Sequence, residues 1–395
     1  MSTLTPPTPR LRRARLGVFG IFFVVGFLMA IWLVNIPAIQ ERTGVSHAVL
    51  GGLILVFGLG SFIGMQITGA LIDRVGSRRA SLAGVVLMVL AVNLPGMAGD
   101  ATSLGVALFI FGLGNGATDV AMNHQAVVVE RRYGRPIMSA FHAFFSLGGA
   151  AGALLGAGTQ AAGLDVRWAL LGAAVIAAVL ALIAGPALLS RGEERADTPT
   201  VEPGQAAPAA RGATRRRVIA LAFLAFVLML AEGVANDWSA LHAVEHLGRS
   251  EAQASLAYGT FAITMTVGRF LADRVSFAVG PLNVVRYGSA AGALGLLIVV
   301  LSPIFGLTLL GWAVFGLGLS GVIPQIFTAA GNVDPARSGL IISRVVGAGY
   351  IGMLAGPAVI GFLGGGIGLT LAFILPLLFC VCGVILAPSV RAPRA

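Results

Sequence analysis

The segment GALIDRVGSRR, residues 69–79, crowds an acid, three arginines and a glycine into seven positions, 73–79. Apolar runs flank it, residues 50–72 before and 79–97 after. Each run is near the roughly 20 residues that a helix needs to cross about 30 Å of hydrocarbon. The segment therefore reads as a tight, charged turn between two membrane-spanning helices. It has an echo. GRFLADRV, residues 268–275, repeats the Asp-Arg pair 200 positions on, 73 to 273. A second echo links FGLGNG (111–116) to FGLGLSG (315–321). Two motifs repeating after 200 and 204 positions predict a chain made of two similar halves.

Working outward, the same kind of run recurs at 17–36, 104–129, 137–161 and 168–189. After a polar gap it returns at 218–241, 252–271, 283–301, 305–329, 340–363 and 367–388. With the first pair this makes twelve. Only 11% of residues are charged and 57% are hydrophobic, against about 25% charged in soluble domains. Runs of alternating polarity, the mark of a membrane β-barrel, are absent. The 55 glycines suit closely approaching membrane helices. The expected fold is an all-α membrane protein, twelve transmembrane helices in two pseudo-symmetric six-helix bundles. Its predicted parts are a cytoplasmic tail (1–16), bundles at 17–189 and 218–388, a linker (190–217) and a second tail (389–395). Pro, Ala, Gly and charge make the linker flexible. Parallel repeats of this kind are related by an axis along the membrane normal.

All 26 basic residues are arginine, and they are unevenly placed: 22 fall at one set of helix ends and in the central loop, and three (Arg42, Arg167, Arg249) at the other. Arg344 lies inside a helix. The positive-inside rule then puts both termini and the linker in the cytoplasm of a bacterial inner membrane. The first span follows a basic start with no small-residue cleavage site, so it reads as a retained helix. The net charge of +10 comes from these loop arginines, and they lack the interleaved aromatics of a nucleic-acid surface. Cys380 and Cys382 have no His or further Cys near them in sequence, so no metal site is expected. No phosphate-binding Gly-Lys loop occurs, which argues against ATP-driven transport, and no cofactor is expected. Ser139 near His142 is a poor nucleophile–base pair, so the chain does not read as an enzyme.

The 2–3 loop resembles that of the major facilitator superfamily. There the pattern is Gly-x-x-x-Asp-Arg-x-Gly-Arg-Arg/Lys-Arg/Lys, matched here by Gly69, Asp73, Arg74, Gly76, Arg78 and Arg79, with Ser77 as the departure. The resemblance implies alternating access, with this loop and its copy at Asp273 and Arg274 gating the cytoplasmic side. Arg344 joins that gate as an expectation, or snorkels back to the cytoplasmic face. Helix 4 is similar to the fucose permease-like branch: Gly112-Leu113-Gly114, then Asp119, then Asn123. In that branch the acid takes part in proton coupling. A second acid expected in helix 1 is Leu33 here, so the likeness is incomplete.

Ionisable groups inside a bilayer are costly and usually functional. Asn115, Asp119 and Asn123 are spaced by four and share one helical face. Asp119, Glu232 and His142 are the proton-coupling candidates. Trp32, Asn35, Asn115, Asn123, Ser146, Asn236, Asp237, Trp238 and Gln325 are the substrate-cavity candidates. Alternatives stand beside them: Asp119 as an interhelical anchor, Trp238 in the interfacial aromatic belt, Glu130 in a local interfacial ion pair. Gly233, Pro37 and Pro324 are expected to bend or break their helices. The expected activity is secondary transport of a small solute by a functional monomer among membrane lipids, with protons as coupling ion and sugar-like uptake as the first direction. Export of amphipathic compounds and a non-transporting sensor or scaffold are the alternatives.

Overall fold

The computed structural model describes residues 7–195 and 208–391. Residues 196–207, most of the expected linker, lie outside the described residues, as do the first six residues and Arg394. The linker's described flanks are helical: Arg191–Arg195 forms a short helix, and the seventh span's helix already begins at Pro208.

Among the described residues twelve long helical spans follow one another, and no strand is present. They are α1 Pro9–Val34, α2 His47–Val75, α3 Ser77–Met97, α4 Ala101–Tyr133, α5 Met138–Ala161 and α6 Val166–Ala187. The second set is α7 Thr214–Glu245, α8 Glu251–Val279, α9 Pro281–Leu301, α10 Phe305–Gly331, α11 Pro335–Ile367 and α12 Leu369–Val390. Eleven are long and apolar enough to cross a membrane. The exception, α8, is 29 residues long but carries Glu251, Arg269, Asp273 and Arg274. Several helices outrun the apolar tracts, because polar end residues continue the backbone ladder into the interface.

Two compact units result. One comprises Met1–Arg135, Phe141–Thr200 and Pro335–Ser343; the other Pro136–Ala140, Val201–Asp334 and Arg344–Ala395. Within the first, α2 and α4 lock glycine against backbone. A Cβ on Gly112 would strike the Phe57 carbonyl, and one on Gly116 the Ser61 carbonyl. Gly60 and Gly64 of α2 press in the same way on Phe109 and Leu113. Helix α5 rides on α1 through Gly148 against Phe23 and Gly152 against Phe27. Without a hydrophobic drive between helices in lipid, such close backbone approach supplies the packing energy.

The repeated FGLG motif has its physical cause here. In the second unit Gly316 of α10 presses on the Phe261 carbonyl of α8. Both partners stand 204 positions beyond Gly112 and Phe57. The preceding phenylalanines repeat too: Phe57 and Phe111 ring centroids are 5.5 Å apart, Phe261 and Phe315 5.6 Å.

The 2–3 turn is a single residue, Gly76, at φ +85°. That left-handed backbone is open to glycine and strained for other residues. Its counterpart between α8 and α9 is Gly280, φ +81°. Gly76 follows Asp73 by three positions and Gly280 follows Asp273 by seven, so α8 runs one turn further before it breaks. Pro37 and Pro324 sit just after breaks, at Asn35 and at Ser320–Gly321. Gly233 does not break α7, whose helix is continuous through it; a Cβ there would stand 3.0 Å from the Met353 carbonyl oxygen. The residue lets α7 pack closely against α11.

Candidate functional site

The polar row of α4 is buried: Asn115 is 2% exposed, Asp119 6% and Asn123 0%. Asp119 lies two residues past the middle of this 33-residue helix. Asn115 donates to the Ser61 hydroxyl of α2 at 3.3 Å, and Asn123 donates back to the Asp119 carbonyl at 2.9 Å. Glu130, three residues before the end of α4, is buried at 7%.

On α5, the Ser146 hydroxyl donates to the His142 carbonyl at 3.2 Å, and the His142 ring stands edge-on to Phe22 at 5.2 Å. Trp32 is 3% exposed, stacked on Phe57 and edge-on to Phe111. Asn35 donates to the Ile31 carbonyl at 2.8 Å where the α1 helix ends. Gln160 of α5 donates to the adjacent Val34 carbonyl at 2.8 Å.

In the second unit, Glu232 of α7 is paired with Arg269 of α8 at 3.1 Å, with side chains only 18% and 14% exposed. Arg269, counted in the sequence among the arginines at one set of helix ends, lies within α8 one turn before Asp273 and within reach of the neighbouring helix's acid. A half-buried charge is cheap only when paired and hydrogen-bonded, and each residue here supplies the other with an opposite charge at hydrogen-bond distance. Asp237 is exposed and Asn236 half-buried on α7, and Trp238 lies over Gly361 of α11, 3.3 Å from a Cβ there. Gln325 is buried in the segment Val322–Gly331 that resumes α10 after its break. Arg344 is exposed. Sequence reasoning passed over His242, which is buried, meets Thr370 of α12 at 3.2 Å and stacks on His246. The spacing of four between the two histidines was its only signal.

The aspartates of the two Asp-Arg pairs, each near the end of its own helix, lie against the beginnings of other helices. In the second unit the Asp273 carboxylate accepts the backbone N–H groups of Ser139 and Ala140, at 2.9 and 2.8 Å. These are first-turn amides of α5, which no intrahelical carbonyl reaches. In the first unit Asp73 stands beside the first turn of the Ser338–Ile367 helix: its Oδ1 is 3.1 Å from where a Cβ on Gly339 would be. A helix N-terminus favours a carboxylate there. Gln66 of α2 donates to the Ser343 carbonyl at 3.2 Å, and a side chain on Gly69 would collide with Ser343. The motif glycine at 69 is thus a contact requirement.

The motif loop also has partners that its own sequence does not reveal. Glu194, in the short helix after α6, accepts the Ser77 amide at 3.2 Å and the Ser77 hydroxyl at 2.6 Å, capping α3. Glu193 takes Arg10 in a two-point pair, 2.7 and 2.9 Å, and Arg195 donates to the Asp73 carbonyl at 2.9 Å. The Arg10 guanidinium pulls the Glu193 carboxyl down to about 2, whereas burial raises that of Glu194. The signal was two adjacent acids in an otherwise basic stretch, SRGEER. Among the described residues no three His, Cys, Asp or Glu side chains gather as metal ligands would.

Twelve helices in two repeating halves, with buried ionisable groups and motif acids at helix beginnings, define a multi-pass membrane transporter of the secondary, alternating-access class. The chain belongs to the Major Facilitator Superfamily, whose family model matches residues 18–241 and again 221–394. It is 37% identical over 357 residues to an uncharacterized MFS-type transporter of Yersinia pestis, covering 89% of each chain. To the uncharacterized transporter y4wD of Sinorhizobium fredii it is 30% identical, over 95% of this chain and 97% of that one. Its fold is similar to that of FucP in the outward conformation, with a TM-score of 0.79 at 18% identity, over 95% of this chain and 98% of that one.

Proposed function

We propose that the chain is a proton-coupled carrier of a small, polar, sugar-like solute, acting as a monomer with both termini in the cytoplasm. The observation that carries this reading is the carboxyl of Asp119, buried at 6% near the middle of a spanning helix. A neutral carboxylic acid is inexpensive in such a place, and a carboxylate is stable there only when hydrated or paired. Protonation can therefore be tied to the side on which the cavity is open. Glu232 is the rival, but Arg269 already compensates its charge. The amides of Asn115 and Asn123, on the same face as Asp119, suit a polyhydroxyl ligand. FucP, similar in fold, is a fucose:proton symporter. The arginine asymmetry supports the orientation. Asp73 and Asp273, each at the beginning of another helix, are the clasps that close the cytoplasmic side, with Gly69, Arg74, Gly76, Arg78, Arg79, Arg274 and Arg344 around them.

The test uses proteoliposomes, a panel of radiolabelled monosaccharides and an internal pH dye. Asp119→Asn mimics the protonated acid. It should retain solute exchange and lose accumulation driven by a pH gradient. Full gradient-driven accumulation by this variant would leave Asp119 as an interhelical anchor. Uncoupling by Glu232→Gln alone would move the coupling site to α7. Proton efflux driven only by amphipathic cations would favour the exporter, and no flux of any kind the sensor or scaffold.

A further inference from the structure

The first unit contains a cleft of about 480 Å³ lined by Arg10, Arg13, Arg78, Ile183, Pro186 and Ala187. Three guanidiniums share it, and no carboxylate is among its lining residues. Arg10 is held in place by Glu193 and by the carbonyls of Ala187 and Leu188, which fixes the inner wall. Arg13 is exposed and Arg78 half-buried.

The surroundings grade from charge to oil along two helices. On α1, Arg10, Arg13 and Leu16 are three apart and share a face; Leu16 is 65% exposed. The row descends roughly 9 Å from first to last. On α6 the order is reversed: Leu182 and Ile183, 76% and 69% exposed, precede Pro186 and Ala187. The start of one helix and the end of the other thus place guanidiniums above an alkyl surface, the layout of a lipid headgroup over its acyl chain.

We propose that this cleft is a binding site for an anionic phospholipid, its phosphodiester between Arg13 and Arg78 and an acyl chain along Leu16, Leu182 and Ile183. Guanidinium meets phosphate oxygens at two points, which a planar fork favours. A headgroup carrying its own ammonium offers the same phosphate with the charge already offset, so it should bind less well. Basic clefts beside membrane helices on the cytoplasmic side are suited to such lipids. The cytoplasmic placement rests on the orientation proposed above, but the binding itself does not depend on which leaflet the cleft faces.

Native mass spectrometry of the full-length protein in detergent tests this, with phosphatidylglycerol and phosphatidylethanolamine as probes. The wild type should retain phosphatidylglycerol preferentially. Arg13→Gln/Arg78→Gln should weaken that binding by roughly thirty-fold, at about fivefold per charge lost. Arg12→Gln removes one exposed arginine outside the cleft and should leave it unchanged. Thermal melting of each variant shows that the bundle is intact. Equal retention of the two lipids, or equal loss in the Arg12 and double variants, would overturn the proposal. Displacement of the lipid by millimolar inorganic phosphate, with no dependence on acyl chains, would assign the cleft to a free anion and overturn it as a lipid site.

Discussion

Asp273→Ala removes the acceptor of two first-turn amides of α5, those of Ser139 and Ala140 at 2.9 and 2.8 Å. Hydrogen bonds to a charged group contribute roughly 1.5–3 kcal/mol each. That is an upper range here, because amides at a helix beginning find water once released. Loss of an N-terminal cap costs roughly 0.5–2 kcal/mol, and Ser139 is fully buried, at 0% exposure, which favours the high end. About 2 kcal/mol corresponds to a shift of up to roughly 30-fold in the equilibrium between the docked and undocked helix beginning. The assay is maleimide labelling of Ile137→Cys, a position only 2% exposed, with Cys380 and Cys382 replaced by alanine. In the Asp273→Ala background the labelling rate should rise by roughly tenfold or more. Asp273→Asn keeps one acceptor oxygen and should fall between. If labelling rises less than twofold while the protein melts and elutes as the parent does, the carboxylate does not hold α5, and the clasp reading fails.

Three further outcomes are expected. Arg269→Gln leaves Glu232 uncompensated on α7 and should lower the melting temperature in detergent more than Glu232→Gln/Arg269→Gln does, since breaking a buried pair is worse than removing it; equal losses would show that the pair is incidental. Glu193→Gln should destabilise at pH 7: its depressed carboxyl contributes above the ordinary carboxylate range, and that contribution disappears as pH falls toward about 2. Glu194 has the opposite sign, its raised carboxyl favouring the folded state at low pH, so Glu194→Gln should be neutral or stabilising at pH 7; melting curves of both variants from pH 7 to pH 3 decide the matter, and parallel behaviour would contradict it. Gly152→Leu drives a side chain into the Phe27 backbone and should cut the yield of monodisperse protein severalfold, whereas Gly158→Leu, with open space around it, should not; size-exclusion profiles provide the comparison.

Spans, their number and the doubling of the chain were legible in the sequence because the bilayer imposes them locally. A helix must satisfy its own backbone in hydrocarbon, so twenty apolar residues betray a span without reference to any partner. The Asp-Arg turn was legible because Gly76 needs its left-handed φ within one residue. What each polar group faces was not legible, since it depends on residues far away in the chain. Arg269 counted only as a helix-end charge until α8 set it beside Glu232, 37 positions earlier. Gly233 read only as a place to bend or break α7; its close approach to the Met353 backbone came with the tertiary structure. Glu193 and Glu194 looked like part of a linker until they reached back to Arg10 and Ser77. Periodicity reports what a helix does with its own backbone and with lipid; ion pairs, caps and backbone-to-glycine contacts join distant segments, and only the tertiary structure decides them.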